Sequence, residues 1–215
     1  MISALRLASL SVGLAVGLLG SSCFAQNVEL LPFEAKDEWT FIQERTEPGK
    51  PLQSLEVRFS TMLKNKDGEF VLGVLKAITQ DGQLIWQPIG KLPGRSCLRD
   101  FLSETDLGLT DACTAGVGIG DKWQSIEPSN GGTERLKFEA VGREPITVRG
   151  RAYDVIKIVG KGEKTTPQRE SEDMIVTYWF APDAKAMVRA ERAYYSKKGK
   201  LLIKFVDEMS VAKLN

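Results

Sequence analysis

The sharpest pattern in the chain has a period of two: Leu55, Val57, Phe59, Thr61 and Leu63 fall on one side, and Glu56, Arg58, Ser60 and Lys64 on the other. Side chains alternate across a β-strand, so this segment predicts a strand with one buried face. Asn65-Lys66-Asp67-Gly68 supplies turn residues, and Phe70 to Ile78 predicts a second strand that completes a hairpin. Asp81-Gly82 turns the chain again into Gln83-Leu84-Ile85-Trp86. In the second half, segments 135–141, 153–159, 174–180, 187–195 and 201–209 are rich in β-branched and aromatic residues and predict further strands. Gly150, Gly160 to Gly162, Pro182-Asp183 and Lys198-Gly199 read as the punctuation between them. Past Pro93-Gly94 the pattern changes. Ser96 can cap a short helix near residues 96–103 carrying Leu98, Phe101 and Leu102, and 108–120 reads as loop. The prediction is an antiparallel all-β protein with one short helical excursion.

A weak internal repeat overlies this pattern. Asp37-Glu38-Trp39 matches Asp121-Lys122-Trp123, Leu52 matches Leu136, and Phe70 matches Tyr153; after a polar insertion at 161–170, Trp86, Pro88 and Lys91 match Phe180, Pro182 and Lys185. A duplication would make each half a curved meander, joined by the connector between them.

The first residues carry one charge, Arg6, an apolar run from Leu7 to Leu19 and small residues ending in Cys23-Phe24-Ala25, which predicts an export signal over 1–25. The alternatives are a lipoprotein signal with Cys23 as the lipidated residue and a retained anchor, for which the run is short. Export would leave Cys97 and Cys113 in a compartment that permits disulfides, and they are expected to be bonded to each other, since their spacing is far from the C-x-x-C of catalytic dithiols. The expected organisation is therefore a signal over 1–25, an N-terminal β-meander over 26–92, a disulfide-closed connector over 93–120 and a C-terminal sheet half over 121–215, with 26–215 as the alternative single domain.

Composition narrows the chemistry. A chain that is 42% hydrophobic and 27% charged can bury a core. Lys and Arg total 29 against 28 Asp and Glu, and removing Arg6 with the signal makes the two equal, so no electrostatic footprint for nucleic acid is present. The chain has no His, which excludes Ser-His and Cys-His nucleophile systems and His-ligated zinc. Lys197-Lys198 and the Lys161, Lys164 pair read as solvated turn residues. The glycines from Gly116 to Gly120 do not have the spacing of a dinucleotide loop, and the strand expected after Trp123 leaves no helix N-terminus for a phosphate. Glu170, Glu172 and Asp173 cluster without calcium-loop spacing, beside Thr165, Thr166, Pro167 and Gln168, and read as an exposed hairpin loop. No metal or cofactor is expected. The four tryptophans, Trp39, Trp86, Trp123 and Trp179, remain as candidate ligand-binding residues, because an indole in a β-rich concavity can stack on a sugar or line an acyl pocket; the competing reading is core packing.

Tyr178-Trp179-Phe180-Ala181-Pro182, followed by Val188-Arg189 and Glu191, resembles a pattern of exported bacterial β-rich proteins of unknown function, Y-W-[YF]-[AS]-P then V-[KR]-x-E. Gly120-Asp121-Lys122-Trp123 and the strand from Gly150 to Lys157 match the segments that precede it there, so the resemblance covers roughly residues 117–210. It implies a periplasmic curved sheet similar to the half-barrel of lipoprotein carriers, and no catalytic residues. The resulting expectation is an exported, non-catalytic envelope protein that binds or scaffolds, accepting a lipid, glycan or peptide in a concave sheet, with no nucleic-acid partner and no membrane span after the signal. A carboxylate-dependent hydrolase, or an assembly partner that lends strand edges to an envelope protein, are the alternatives.

Overall fold

The computed structural model describes residues 34–64, 70–78, 82–92, 118–129, 132–167 and 169–215. The export segment, the helix expected near 96–103 and the Cys97–Cys113 bond lie outside the described residues.

Within them the chain forms ten strands: β1 (Glu38–Thr46), β2 (Gln53–Lys64), β3 (Phe70–Ile78), β4 (Leu84–Leu92), β5 (Lys122–Ser129), β6 (Gly132–Val148), β7 (Arg151–Thr166), β8 (Arg169–Ala181), β9 (Ala186–Tyr195) and β10 (Leu201–Lys213). All pair antiparallel in one unclosed, curved sheet of order β4-β3-β2-β1-β10-β9-β8-β7-β6-β5. Two meanders are thus joined through β1 and β10, and among the described residues β4 and β5 are paired on one side only. Strand β1 was not predicted: each of its residues from Thr40 to Glu44 is only half-buried, so neither face stands out as apolar. No helix of the described residues is long and apolar enough to cross a membrane.

Two apolar clusters hold the sheet. The first joins Phe138, Ile156, Ile158, Val176 and Phe180, of which the last four are wholly buried; each such side chain contributes about 1.5–3 kcal/mol by leaving water. The second forms where the β6–β7 hairpin runs past the end of β8. Its tip is a two-residue turn, Arg149-Gly150, with positive φ at both positions, the geometry that matches strand twist. Val148, Tyr153 and Val155 of that tip pack with Trp39, Val188 and Met209.

The structure corrects the reading of residues 160–166 as turn and insertion. They continue β7, which runs to Thr166, with Lys161 and Lys164 inside the strand. Gly160 and Gly162 are not punctuation. A Cβ on Gly160 would sit 2.5 Å from both the Phe138 ring and a Val176 methyl, so glycine is there because the ring needs the space.

The two halves open on the same turn. Glu34 N donates to Asp37 Oδ2 at 2.8 Å and Gly118 N to Asp121 Oδ2 at 3.0 Å, with positive φ at Lys36 and Gly120. Two residues later Trp39 pairs with Phe59, and Trp123 with Phe138. The register makes Phe59 and Phe138 the equivalents, so the match of Leu52 with Leu136 fails: Leu52 precedes β2 and is 59% exposed, whereas Leu136 is buried.

Candidate functional site

Alternation places Trp39, Phe41 and Gln43 of β1 on one face, with Val57 and Phe59 of β2 beside them. These residues line a cavity of about 400 Å³ together with Leu72 of β3, Tyr178 of β8, Ala190 and Arg192 of β9 and Asp207 of β10. In the sheet order β3 and β8 are five strands apart, about 24 Å across a flat sheet at about 4.8 Å per strand. That both line one cavity shows that this face is the concave one.

The cavity is apolar at one end and polar at the other. Trp39 is 3% exposed, and its indole N–H donates to the Ala184 carbonyl at 2.9 Å, in the short 3-10 turn Pro182–Ala184. Phe41 and Phe59 meet edge to face at 5.8 Å. Toward the opposite strand ends, Asp207 accepts from Gln43 Nε2 at 2.7 Å and from Arg192 Nη2 at 2.9 Å. The Arg192 guanidinium lies 5.6 Å from the Phe205 ring, and its Nε is buried with no acceptor among the described residues. Burial opposes the Arg192 charge, but Asp207, together with Tyr178 and Tyr194, outweighs it and holds the guanidinium above its ordinary proton affinity.

The four tryptophans divide between the faces. Trp39 is in the cavity. Trp123 stacks on Phe138 at 5.4 Å, and Phe138 lies 6.2 Å from Tyr178, so an aromatic row runs from edge strand β5 to the cavity wall. Trp179 is on the other face: it alternates with Tyr178 and Phe180, donates to Glu144 Oε1 at 2.8 Å, and has Lys157 and Arg189 against its ring at 5.6 and 5.4 Å. That hydrogen bond, with Lys157, holds the Glu144 carboxyl below its usual range. Trp86 borders a separate depression of about 140 Å³ with Thr40, Arg58 and Val211, residues that alternate with Phe41 and Phe59, although Trp39 and Phe59 also reach its rim. As groove-lining residues Trp86 and Trp179 are therefore replaced by Phe41, Phe59 and Tyr178. Arg192 and Asp207 escaped sequence reasoning too, yet a signal existed: Arg192 shares its face with Ala190 and Tyr194, and Asp207 with Phe205 and Met209, so opposite charges sit on the apolar faces of two neighbouring strands.

Other candidate features are committed elsewhere. Gly120 N donates to the Ala140 carbonyl and Gly118 N to Asp121, which leaves these amides closing a turn. Asp173 pairs with Lys197 at 2.7 Å, and Glu163, held below its usual range by Ser171 and Lys197, completes a surface lattice. A depression of about 720 Å³ near β5 is lined by the consecutive residues Lys122, Trp123 and Gln124, so it wraps the sheet edge. Among the described residues no three acidic or cysteine side chains converge on a metal position.

No protein-family model matches this chain, and no curated protein matches it in sequence. Among solved structures it is similar to a protein from Bacteroides fragilis described as exported with a YmcC-like fold, at 14% identity and TM-score 0.47, covering 86% of this chain and 99% of that one. It is similar as well to a protein from Parabacteroides distasonis described as a lipoprotein, at 14% identity and TM-score 0.47, covering 87% and 100%. A LolA superfamily protein from Nitrosomonas europaea matches at 12% identity and TM-score 0.31, covering 84% and 86%.

Proposed function

We propose that this chain is an exported, non-catalytic protein of the cell envelope that holds an apolar ligand against its concave face. The carrying observation is the cavity of about 400 Å³ assembled from strands of both meanders, apolar along Trp39, Phe41 and Phe59 and polar at a few fixed points. Mostly apolar concavities with a small number of placed polar groups are the usual form of a small-molecule site. The non-catalytic reading is supported by Asp207, the carboxylate at the cavity, which is already engaged by Gln43 and Arg192. Assembly through strand edges is the weaker reading, because each strand paired on one side only among the described residues carries a proline, Pro88 in β4 and Pro128 in β5, that offers no N–H to an added strand.

The test is titration with the environment-sensitive probe N-phenyl-1-naphthylamine. Saturable binding at one probe per chain is expected, lost in Phe59→Asp while far-UV dichroism is retained. A linear, unsaturable signal, or equal binding by Phe59→Asp, contradicts the reading.

A further inference from the structure

The polar end of the cavity specifies what kind of apolar ligand fits. Along β1, Trp39 and Gln43 stand four residues apart, about 13 Å at about 3.3 Å per residue. The Trp39 end is lined by apolar side chains such as Phe59, while the Gln43 end carries Asp207 and Arg192. A ligand lying along this axis has one apolar end and one hydrogen-bonding end. The volume of about 400 Å³ is near the small end of ligand pockets, which suits one chain and not several.

Charge decides the head. Asp207 neutralises Arg192 at 2.9 Å, and the nearby cations are engaged by carboxylates: Arg45 by Glu47, which also takes the exposed Lys50, and Lys164 by Glu134 at 3.2 Å, where the Tyr194 hydroxyl also donates. An anionic head would meet the Asp207 carboxylate, and a cationic head the Arg192 guanidinium. Arg192 lines the cavity, and its bond to Asp207 takes only part of a guanidinium's hydrogen-bonding capacity. We propose that the cavity takes a single-chain amphiphile with an uncharged, oxygen-bearing head, a monoacyl ester being the simplest case. The chain runs along Phe41 and Phe59, and the ester carbonyl accepts from Arg192. This rests on the apolar-ligand reading above and adds to it the number of chains, their direction and the head chemistry.

Three amphiphiles with the same sixteen-carbon chain separate the possibilities: 1-monopalmitoylglycerol, palmitate and hexadecyltrimethylammonium, each below its micellar concentration, displacing N-phenyl-1-naphthylamine from the full chain. The expected order places the neutral ester about tenfold ahead of palmitate, whose carboxylate meets the like charge of Asp207, with the cation last. In Arg192→Met/Asp207→Leu, which removes both charges and so strands neither, the probe should still bind and the advantage of the ester should vanish. Palmitate or the cation binding as tightly as the ester, or a double variant that keeps the preference, overturns the proposal and leaves the apolar-cavity reading standing. Failure of the probe to bind at all overturns both. The wild-type ranking decides the matter alone if the double variant does not fold.

Discussion

Replacing Asp37 with Ala should unfasten the start of β1 from the β8–β9 connection. Asp37 is fully buried. Its Oδ2 accepts from Lys185 Nζ at 2.9 Å and from Glu34 N at 2.8 Å, and its Oδ1 accepts from Asn215 N at 2.8 Å. The Lys185 side chain is 6% exposed and follows the 3-10 turn whose Ala184 carbonyl receives the Trp39 indole N–H. A buried cation stripped of its partner costs about 3–5 kcal/mol, and the loss of two hydrogen bonds to the carboxylate, from Glu34 N and Asn215 N, adds about 1 kcal/mol each. The expected loss is about 5 kcal/mol or more, a large part of a typical stability of about 5–15 kcal/mol. Lys185→Met should cost less, about 3 kcal/mol, because the two amides still hold the carboxylate. With Asp37→Ala/Lys185→Met the stranded cation is gone, so the double variant should be more stable than the sum of the singles predicts, by about 2 kcal/mol. Urea denaturation followed by far-UV dichroism measures all three. A loss below about 1 kcal/mol in Asp37→Ala, or strict additivity, would refute the claim that this pair ties the sheet to its end.

Three further outcomes follow from the same geometry. Gly160→Ala should lose about 1–3 kcal/mol by forcing Phe138 and Val176 apart, and a thermal melt unchanged from wild type would contradict that close approach. A brominated alkyl chain should quench Trp39 emission while Trp86 and Trp179 are little affected, read in variants that keep one tryptophan at a time; equal quenching of all would deny that the faces differ. Stability should be level between pH 6 and 8, where no His titrates, and fall below about pH 4.5. Burial alone would raise the Glu191 carboxyl, but Lys204 and Arg189 hold it below its ordinary 4.5, and Glu144 and Glu163 are lowered by their partners. A group whose folded value is depressed contributes stability above its unfolded value and loses it as the pH falls through the folded one. Urea midpoints at pH 7 and 5 should lie close together and the midpoint at pH 3.5 well below them, and that drop should be smaller in Glu191→Gln.

Much of the sheet was legible from alternation, and the failures have particular causes. β2 was placed from its period-two pattern, and β3 from the apolar run that follows the turn residues Asn65 to Gly68. Residues 160–166 were misread because glycine and lysine in a row look like a turn, and what Gly160 accommodates is the Phe138 ring on a neighbouring strand, a fact of register and not of local sequence. Trp179 is the more instructive case. Met174, Val176 and Phe180 already marked the inner face of β8, and Trp179 alternates with them, so the sequence contained its exclusion from the groove. Which face of a strand becomes concave, however, depends on how ten strands curl together, and no single strand encodes that. Arg192 and Asp207 were passed over because each looks like an ordinary surface charge until β9 and β10 are set side by side.

The account stands most directly on where an alkyl chain lies when bound. Photolabelling with a diazirine-bearing sixteen-carbon ester, followed by peptide mapping, should place the label on β1, β2 and β8 at Phe41, Phe59 and Tyr178. Label concentrated instead around Trp179 and Lys157 on the outer face, or spread evenly over both faces, would contradict it.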